Sequence, residues 1–140
     1  MKRTFDTDTI RLMTLFENVT NAPVMDCIVD KDSNTICFVV GEGKIGLAIG
    51  RNGSSVRHVE RITGKTVRLF EFSGDLDTFV KRLIPQANRV RVKCENNETV
   101  VEISVEKKNR AFVIGRDSRN LRMCKELLKR SHRVDELSVK

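Results

Sequence analysis

Hydrophobic residues near the N-terminus recur at the spacing of an amphipathic helix. Apolar side chains at positions 10, 12, 13, 15, 16 and 19 fall on one face, which predicts a helix over DTDTIRLMTLFENVTN. Asp6 or Thr7 suits the start of this helix, and Pro23 is expected to end it. The next two runs, VMDCIVD and TICFVV, flank the turn-forming KDSN and predict a β-hairpin.

Two short helical patterns and a strand complete this first segment. KIGLAIG predicts a helix that ends at Gly50, and SSVRHVERITG predicts a second helix with Ser54 as its N-terminal cap. Val56, Val59 and Ile62 fall on one face of that second helix. TVRLFEF then predicts a closing strand. The order is therefore helix, strand, strand, helix, helix, strand.

The second half repeats this order. DLDTFVKRLI predicts a helix, and RVRVKCE and TVVEISV predict a hairpin. KNRAFVIG and SRNLRMCKELLKR predict two helices before a last strand, RVDELSV. LAIGRNGSSVR aligns with FVIGRDSRNLR at an offset of 65 residues, so the chain contains an internal repeat. We expect an α+β protein with two tandem domains, residues 1–73 and 74–140, that form one compact unit.

Positive charge is concentrated around the repeated segment. The net charge is +7, and residues 74–140 carry 16 basic and 10 acidic side chains, whereas residues 1–73 carry 10 and 9. Ten of the basic residues lie within 107–133, and six more lie within 44–68. Such a distribution favours an anionic partner at the repeated segment.

Several classes of protein are not indicated by the composition. No apolar stretch reaches the roughly 18 residues that a membrane span requires, and MKRTFDTDT lacks the apolar core of an export signal. We therefore expect a cytoplasmic protein with no membrane association. His58 and His132 do not complete a zinc pattern with the cysteines, and both are expected at the surface.

The cysteines are expected to be reduced core residues. The chain contains Cys27, Cys37, Cys94 and Cys124. Their spacing forms no CxxC pair, and each has apolar neighbours, so we expect small buried side chains without a metal. Cys27 and Cys37 are placed so that they could face each other across the first hairpin.

The run GEGKIGLAIGRNG contains two glycine motifs with different meanings. Gly41-x-Gly43-x-x-Gly46 fits the dinucleotide fingerprint, and Glu71 would supply its ribose-binding acid. However, GRNG interrupts the crossover helix that this fold needs, and the second copy retains Ile-Gly-Arg without the GxGxxG. A Walker A loop also fails, because GEGKIG has the wrong glycine spacing and no Ser or Thr after its lysine.

The remaining motif, Gly50-Arg51-Asn52-Gly53, is suited to a phosphate. Glycine at both ends lets the backbone approach closely, and the N-terminus of the following helix, near Ser54, favours an anion. Arg51 adds charge, while Asn52 forms hydrogen bonds without repulsion. Three apolar side chains are expected to line an adjacent groove for bases: Ile45, Ile49 and Val67.

The second copy departs from this pattern. Its loop, Gly115-Arg116-Asp117-Ser118, lacks the closing glycine and has an acid facing the expected phosphate. Asp117 could repel the RNA backbone, or it could reach a base or a ribose hydroxyl. Ser118 is typical of a helix N-cap. Arg116, Arg119 and Arg122 nevertheless give this copy the stronger local charge. We expect the first unit to hold RNA through its loop, and the second to add electrostatic contact and orientation.

Two units of this order, each with Ile-Gly-Arg at the loop, resemble type II KH domains in tandem, and above all those of the short archaeal NusA-like transcription factors. The resemblance covers nearly the whole chain and implies a non-catalytic protein without a cofactor, which binds single-stranded RNA and modulates transcription termination or antitermination. RNA polymerase is an expected further partner, and a monomer is expected. The expected RNA-binding residues are Lys44, Gly50, Arg51, Asn52, Gly53, Ser54, Arg57, Gly115, Arg116, Asp117, Arg119 and Arg122.

Other functions remain open at this point. A ribosome-associated or RNA-processing KH protein would have the same units, although the chain has no GTPase domain and no long basic tail. A nucleotide-cofactor enzyme is the third interpretation, since GEGKIG is present without a supporting catalytic constellation.

Overall fold

The structure is a computed structural model that describes residues 6–140 of the chain. It divides into two units, one that ends at Ser73 and one that runs from Gly74 to Lys140. The first five residues of the expected first domain lie outside the described range. No helix within residues 6–140 is long and apolar enough to cross a lipid bilayer.

The two units contain the same elements in the same order, as the sequence pattern predicts. The first unit consists of α1 (Thr7–Thr20), β1 (Val24–Asp30), β2 (Thr35–Val40), α2 (Ile45–Ile49), α3 (Ser54–Thr63) and β3 (Thr66–Glu71). The second unit consists of α4 (Leu76–Leu83), β4 (Ala87–Glu95), β5 (Glu98–Val105), α5 (Lys107–Ile114), α6 (Arg119–His132) and β6 (Glu136–Val139).

Each unit has one three-stranded mixed sheet. In the first, β2 lies in the centre, antiparallel to β1 and parallel to β3. In the second, β5 lies in the centre, antiparallel to β4 and parallel to β6. The parallel pair needs a crossover connection, and the two helices with the loop between them provide it. The loop is therefore held at a fixed place beside the sheet.

The first helices of the units begin at side-chain caps. The Asp6 carboxylate accepts a hydrogen bond from the Thr9 amide at 2.7 Å, and the Asp75 carboxylate accepts one from the Thr78 amide at 3.1 Å. The expectation that Pro23 ends α1 is wrong. Asn21 ends it instead, with a left-handed backbone (φ 61°) and an amide that donates to the Glu17 carbonyl.

The core of the first unit is built on a pair of stacked aromatic rings. Phe16 of α1 and Phe38 of β2 are fully buried, with ring centroids 4.2 Å apart. Ala48 of α2 and Val59 of α3 belong to the same buried cluster. Because these two residues flank the GRNG segment, the core anchors both helices on either side of the loop.

Three of the four cysteines, Cys27, Cys37 and Cys124, are buried as expected. Cys27 lies opposite Phe38 and Cys37 opposite Ile28, so the two thiols lie on opposite faces of the sheet and do not face each other. Burial raises the pKa of the Cys37 thiol to about 11, which keeps it protonated at neutral pH. Cys94 is exposed near the tip of the second hairpin, so the expectation of a core residue is wrong there.

His132 is not the incidental surface residue that the sequence indicates. Its ring lies 5.4 Å from the ring of the buried Phe79, measured between centroids, and the side chain is half-buried. Its Nδ1 lies 2.7 Å from the Ser131 hydroxyl. His132 therefore contributes to the packing of α6 on α4.

The stacked pair provides a test of the core. Phe16→Ala should lower the free energy of unfolding by about 3–5 kcal/mol, because it removes a fully buried ring and leaves a cavity. The matched control on the same helix is Ile10→Ala, whose side chain is 50% exposed and whose loss should cost about 0.5 kcal/mol. Urea unfolding followed by circular dichroism measures both, and equal losses would contradict the described core.

Candidate functional site

The Gly50–Gly53 segment, named here the GRNG loop, has a backbone that few residue types adopt. Gly50 has φ 78° and ψ 173°, Asn52 has φ 56° and ψ 29°, and Gly53 has φ 75°. The Gly53 amide donates to the Gly50 carbonyl at 3.1 Å, which closes the turn. Asn is among the non-glycine residues that best tolerate this region, so the sequence fits the conformation.

Gly50 is required for contact as well as for conformation. A Cβ at this position would lie 2.8 Å from the backbone nitrogen of Ser55, in the first turn of α3. The end of α2 and the start of α3 therefore approach each other more closely than any side chain permits.

The start of α3 differs from the expectation in one respect. Ser54 is the first helical residue and not the cap, and the cap position is occupied by Gly53, which has no side chain to accept a hydrogen bond. The first-turn amides of α3 are thus not covered by a side-chain cap. Such amides, together with the positive end of the helix dipole, suit an anion.

Basic side chains border this helix start. The Arg57 guanidinium reaches back to the loop, with Nη1 3.2 Å from where a Cβ on Gly53 would stand. An open cavity of about 490 Å³ follows the same face of α3, lined by Ser54, Arg57, Glu60 and Arg61. Lys44, one of the expected RNA-binding residues, is exposed and precedes α2.

The apolar groove expected beside the loop is only partly present. Ile45 and Val67 pack against the buried core of the first unit, so they are structural. Ile49 is 40% exposed and remains available to a ligand. The sequence pattern missed Leu47, which is 47% exposed on the same short helix. Its position three residues before Gly50 could have indicated that Leu47 lies beside the loop.

The GEGK segment has a structural explanation. The Gly43 amide donates to the carboxylate of Glu71, the acid that a dinucleotide site would use for ribose. The Lys44 amide donates to the Gly41 carbonyl at 3.0 Å, which closes a tight turn. These glycines therefore form the connection from β2 to α2, fastened to the end of β3.

The Gly115–Ser118 segment, named here the GRDS loop, has the same backbone as the GRNG loop despite its different sequence. Gly115 has φ 80° and ψ 169°, close to Gly50, and Asp117 has φ 55° and ψ 30°, close to Asn52. A Cβ on Gly115 would lie 2.9 Å from the backbone nitrogen of Asn120, so the close approach is also repeated.

Ser118 occupies the cap position of α6, but not in the way that a capping serine does. Its backbone is left-handed (φ 61°), and its hydroxyl forms no capping hydrogen bond. It adopts the conformation of Gly53, to which it corresponds in the repeat. The Asn120 side chain, which corresponds to Ser55 in the repeat, fastens α6 to α5, since its Nδ2 donates to the Val113 carbonyl at 2.7 Å.

The basic residues expected in the second unit surround this loop. Arg116 and Arg122 are exposed, as is Asp117. Arg119 is half-buried, and its Nε is shielded from solvent without a hydrogen-bond partner among the described residues. The sequence pattern missed Phe112, which is 69% exposed at the position that corresponds to Leu47.

Comparison with known proteins agrees with this geometry. Residues 11–73 match the family model described as KH domain. Over 97% of the chain, the fold superposes on a solved structure titled "Crystal structure of APE1850", with a TM-score of 0.80, 28% identity and 100% coverage of that chain. The protein is thus an α+β protein of two tandem KH-like domains.

The relatives specify the family further. "Probable transcription termination protein NusA" of Halococcus morrhuae is 32% identical, with 99% of each chain covered. The protein of that name from Methanococcus vannielii is 33% identical over 99% of this chain and 80% of its own. The one from Methanocaldococcus jannaschii is 31% identical over 95% and 73%. The chain belongs to the NusA family.

The close approach at Gly50 can be tested by adding one methyl group. Gly50→Ala should destabilise the first unit by at least about 1–2 kcal/mol, because an L-residue is strained at this φ and its Cβ meets the Ser55 amide. Urea unfolding gives the loss, and faster hydrogen exchange of the Gly53 amide, which donates to the Gly50 carbonyl, locates it.

The matched control is Gly46→Ala, four residues earlier in α2. A Cβ there meets nothing within 4 Å, and the residue is helical. Alanine should therefore be neutral or stabilise by roughly 0.5–1 kcal/mol. If both variants were as stable as the wild type, the close approach would not exist in solution.

Proposed function

We propose that this protein is a non-catalytic, single-stranded RNA-binding factor of the NusA type, which acts in the cytoplasm on nascent transcripts and modulates termination or antitermination. The observation that carries the proposal is the repetition of one loop conformation, each copy at the start of a helix and bordered by arginines. The relatives are named as probable transcription termination proteins, and this name supports the same role.

In the first unit, the phosphate backbone of the RNA lies against the GRNG loop. The small residues Gly50, Gly53 and Ser54 allow close approach to the start of α3. Arg51 and Arg57 neutralise the phosphate charge, and Asn52 donates a hydrogen bond. Lys44 extends the basic rim. The exposed apolar side chains of α2 lie beside this path, where unstacked bases are usually held.

In the second unit, the backbone conformation is retained and the charge is changed. Asp117 carries a carboxylate where Asn52 carries an amide, which weakens phosphate binding at the tip of the loop. Arg116, Arg119 and Arg122 compensate with positive charge. We propose that this unit orients the RNA electrostatically, with Gly115 preserving the turn that presents the arginines.

We also propose an oligomeric state, a protein partner and domain bounds for the chain. The protein acts as a monomer and contacts RNA polymerase while it holds the transcript. Residues 1–73 form the first KH domain, and residues 74–140 form the second.

The loop of the first unit is tested by reversing its charge. Arg51→Asp/Asn52→Asp should lower the affinity for single-stranded RNA by at least tenfold, because two carboxylates replace a cation and a donor beside the phosphates. The salt dependence should weaken too, since each neutralised phosphate contributes roughly 0.7 to the slope of log affinity against log salt. Fluorescence anisotropy with labelled RNA at several salt concentrations measures both quantities.

A control of similar charge uses exposed residues outside both charge concentrations. Arg11→Ala/Lys31→Ala removes two positive charges, against a net change of three in the loop variant, and should change the affinity less than twofold. If the control and the loop variant weakened binding equally, general positive charge and not the loop would attract the RNA.

The contribution of the second unit is tested in its arginines and its acid. Arg116→Ala/Arg119→Ala should weaken RNA binding by about three- to tenfold, whereas Asp117→Asn should strengthen it, since it restores the Asn found in the GRNG loop. The same anisotropy titration measures both variants. Unchanged affinity in the arginine variant would contradict the role assigned to this unit.

A further inference from the structure

The open face of the second sheet carries a group of positive charges that the loops do not explain. Arg89, Arg91 and Lys93 alternate along β4, so their side chains project from the same face, and Lys140 follows β6 on that face. We name these four residues the basic sheet face. None of them belongs to the charge concentrations that the sequence pattern identified.

The corresponding face of the first sheet has the opposite character. There, Cys37 and Val39 of β2 and Phe70 of β3 are buried and apolar. In the second sheet, the register places Arg89 beside Ser104 and Arg91 beside Glu102, and both arginines are exposed. Arg68 of β3 also lies on this face of the first sheet, above the Phe70 ring, so the two copies differ in the exposed arginines of the second sheet and not in the presence of charge.

The lysines of this face form ion pairs with a carboxylate, whereas the arginines do not. Lys93 forms an ion pair with Glu102 at 2.6 Å, and Lys140 pairs with the other oxygen of that carboxylate. The hydrogen bonds from Lys140 and Lys93 lower the pKa of Glu102 to about 2, so the acid stays ionised and held by both lysines. Within residues 6–140, Arg89 and Arg91 have no ion-pair partner.

The two arginines open into a shallow cavity whose lining has an excess of positive charge, because its one carboxylate, Glu102, is paired with two lysines. The cavity has a volume of about 210 Å³ and is lined by Arg89, Arg91, Glu102, Ser104 and Lys140. A guanidinium group binds a phosphate through two parallel hydrogen bonds, and a serine hydroxyl donates a further one. The two arginines are roughly 6.6 Å apart along the strand, which suits separate phosphates of an extended chain.

The position of the cavity connects it to the GRDS loop. Ser104 lies near the end of β5, and α5 leads from there to the loop over eight residues, a length of about 12 Å. Arg110 of α5 donates a hydrogen bond to the Val139 carbonyl at 3.2 Å, next to Lys140. Positive side chains therefore lie between the basic sheet face and the loop. The acids Glu95 and Glu98 lie at the opposite end, at the hairpin tip.

We infer that the basic sheet face is a second RNA-backbone surface, on which Arg89 and Arg91 each bind a phosphate of the strand that leaves the GRDS loop. The inference rests on the proposed function, because it extends the path of the same RNA. In the second unit, these phosphate contacts compensate for the phosphate binding that Asp117 weakens at the loop.

The test compares two RNA lengths. A short RNA of about five nucleotides is close to the four that one KH loop clamps, whereas one of about 16 nucleotides reaches the upper range of single-strand site sizes. Arg89→Gln/Arg91→Gln removes two charges and keeps polar side chains of similar length on the strand. Arg11→Ala/Lys31→Ala, which removes two exposed charges outside both charge concentrations, serves as the charge-matched control, and thermal unfolding checks that every variant is folded.

With the long RNA, we expect the salt slope of the Arg89→Gln/Arg91→Gln variant to fall by about 1.4, since each lost phosphate contact removes roughly 0.7. Its affinity for the short RNA should be unchanged, and the control should bind both RNAs as the wild type does. An unchanged slope with the long RNA would overturn the inference. The arginines would then serve to protect an edge strand or to bind an acidic protein surface.

The outcomes separate this inference from the proposed function. If Arg51→Asp/Asn52→Asp abolishes binding of the short RNA while the sheet variant behaves as the wild type, the proposed function stands and the inference fails. If the sheet variant alone loses affinity, the inference stands and the role of the GRNG loop fails. If the wild type binds neither RNA, both are overturned.

Discussion

The close approach between a glycine and the first turn of the next helix is the constraint on which the rest of each unit depends. At Gly50 and at Gly115, a Cβ would lie within 3 Å of a backbone nitrogen. This contact turns the chain sharply between two helices and leaves the amides of the second helix at the surface. The buried residues on either side, such as Ala48 and Val59, fix the helices to the sheet, so the turn is held in place by the core.

The same constraint explains why the two loops keep one conformation while their chemistry differs. Asp117 and Ser118 both adopt positive φ, a region that costs non-glycine residues energy. The surrounding helices impose this geometry, and the Asn120 side chain reinforces it from α6 to α5. The two loops thus differ in charge but not in backbone shape. This difference is consistent with a second unit that binds RNA through its cations more than through close contact with the loop backbone.

The surfaces of the two units have also diverged, although their topologies agree. One sheet has apolar, buried residues on the face where the other has exposed arginines. Since fold alone does not assign function, the distinction between the units lies in these side chains. A strand of RNA that contacted both the loop and the sheet of the second unit would meet, on the sheet, arginines that have no counterpart in the first copy.

The sequence by itself determined the order of elements, the repeat and the loop residues. Hydrophobic periodicity is a local property, and the offset of 65 residues exposes the repeat directly. Features that depend on distant partners were decided by tertiary structure. The strand register placed Cys27 and Cys37 on opposite faces of the sheet. The Glu71 carboxylate accepts a hydrogen bond from the Gly43 amide, and Ile45 and Val67 pack against the core. The basic sheet face became visible only when strand pairing brought β4, β5 and the end of β6 together, because alternation within one strand does not reveal its neighbours.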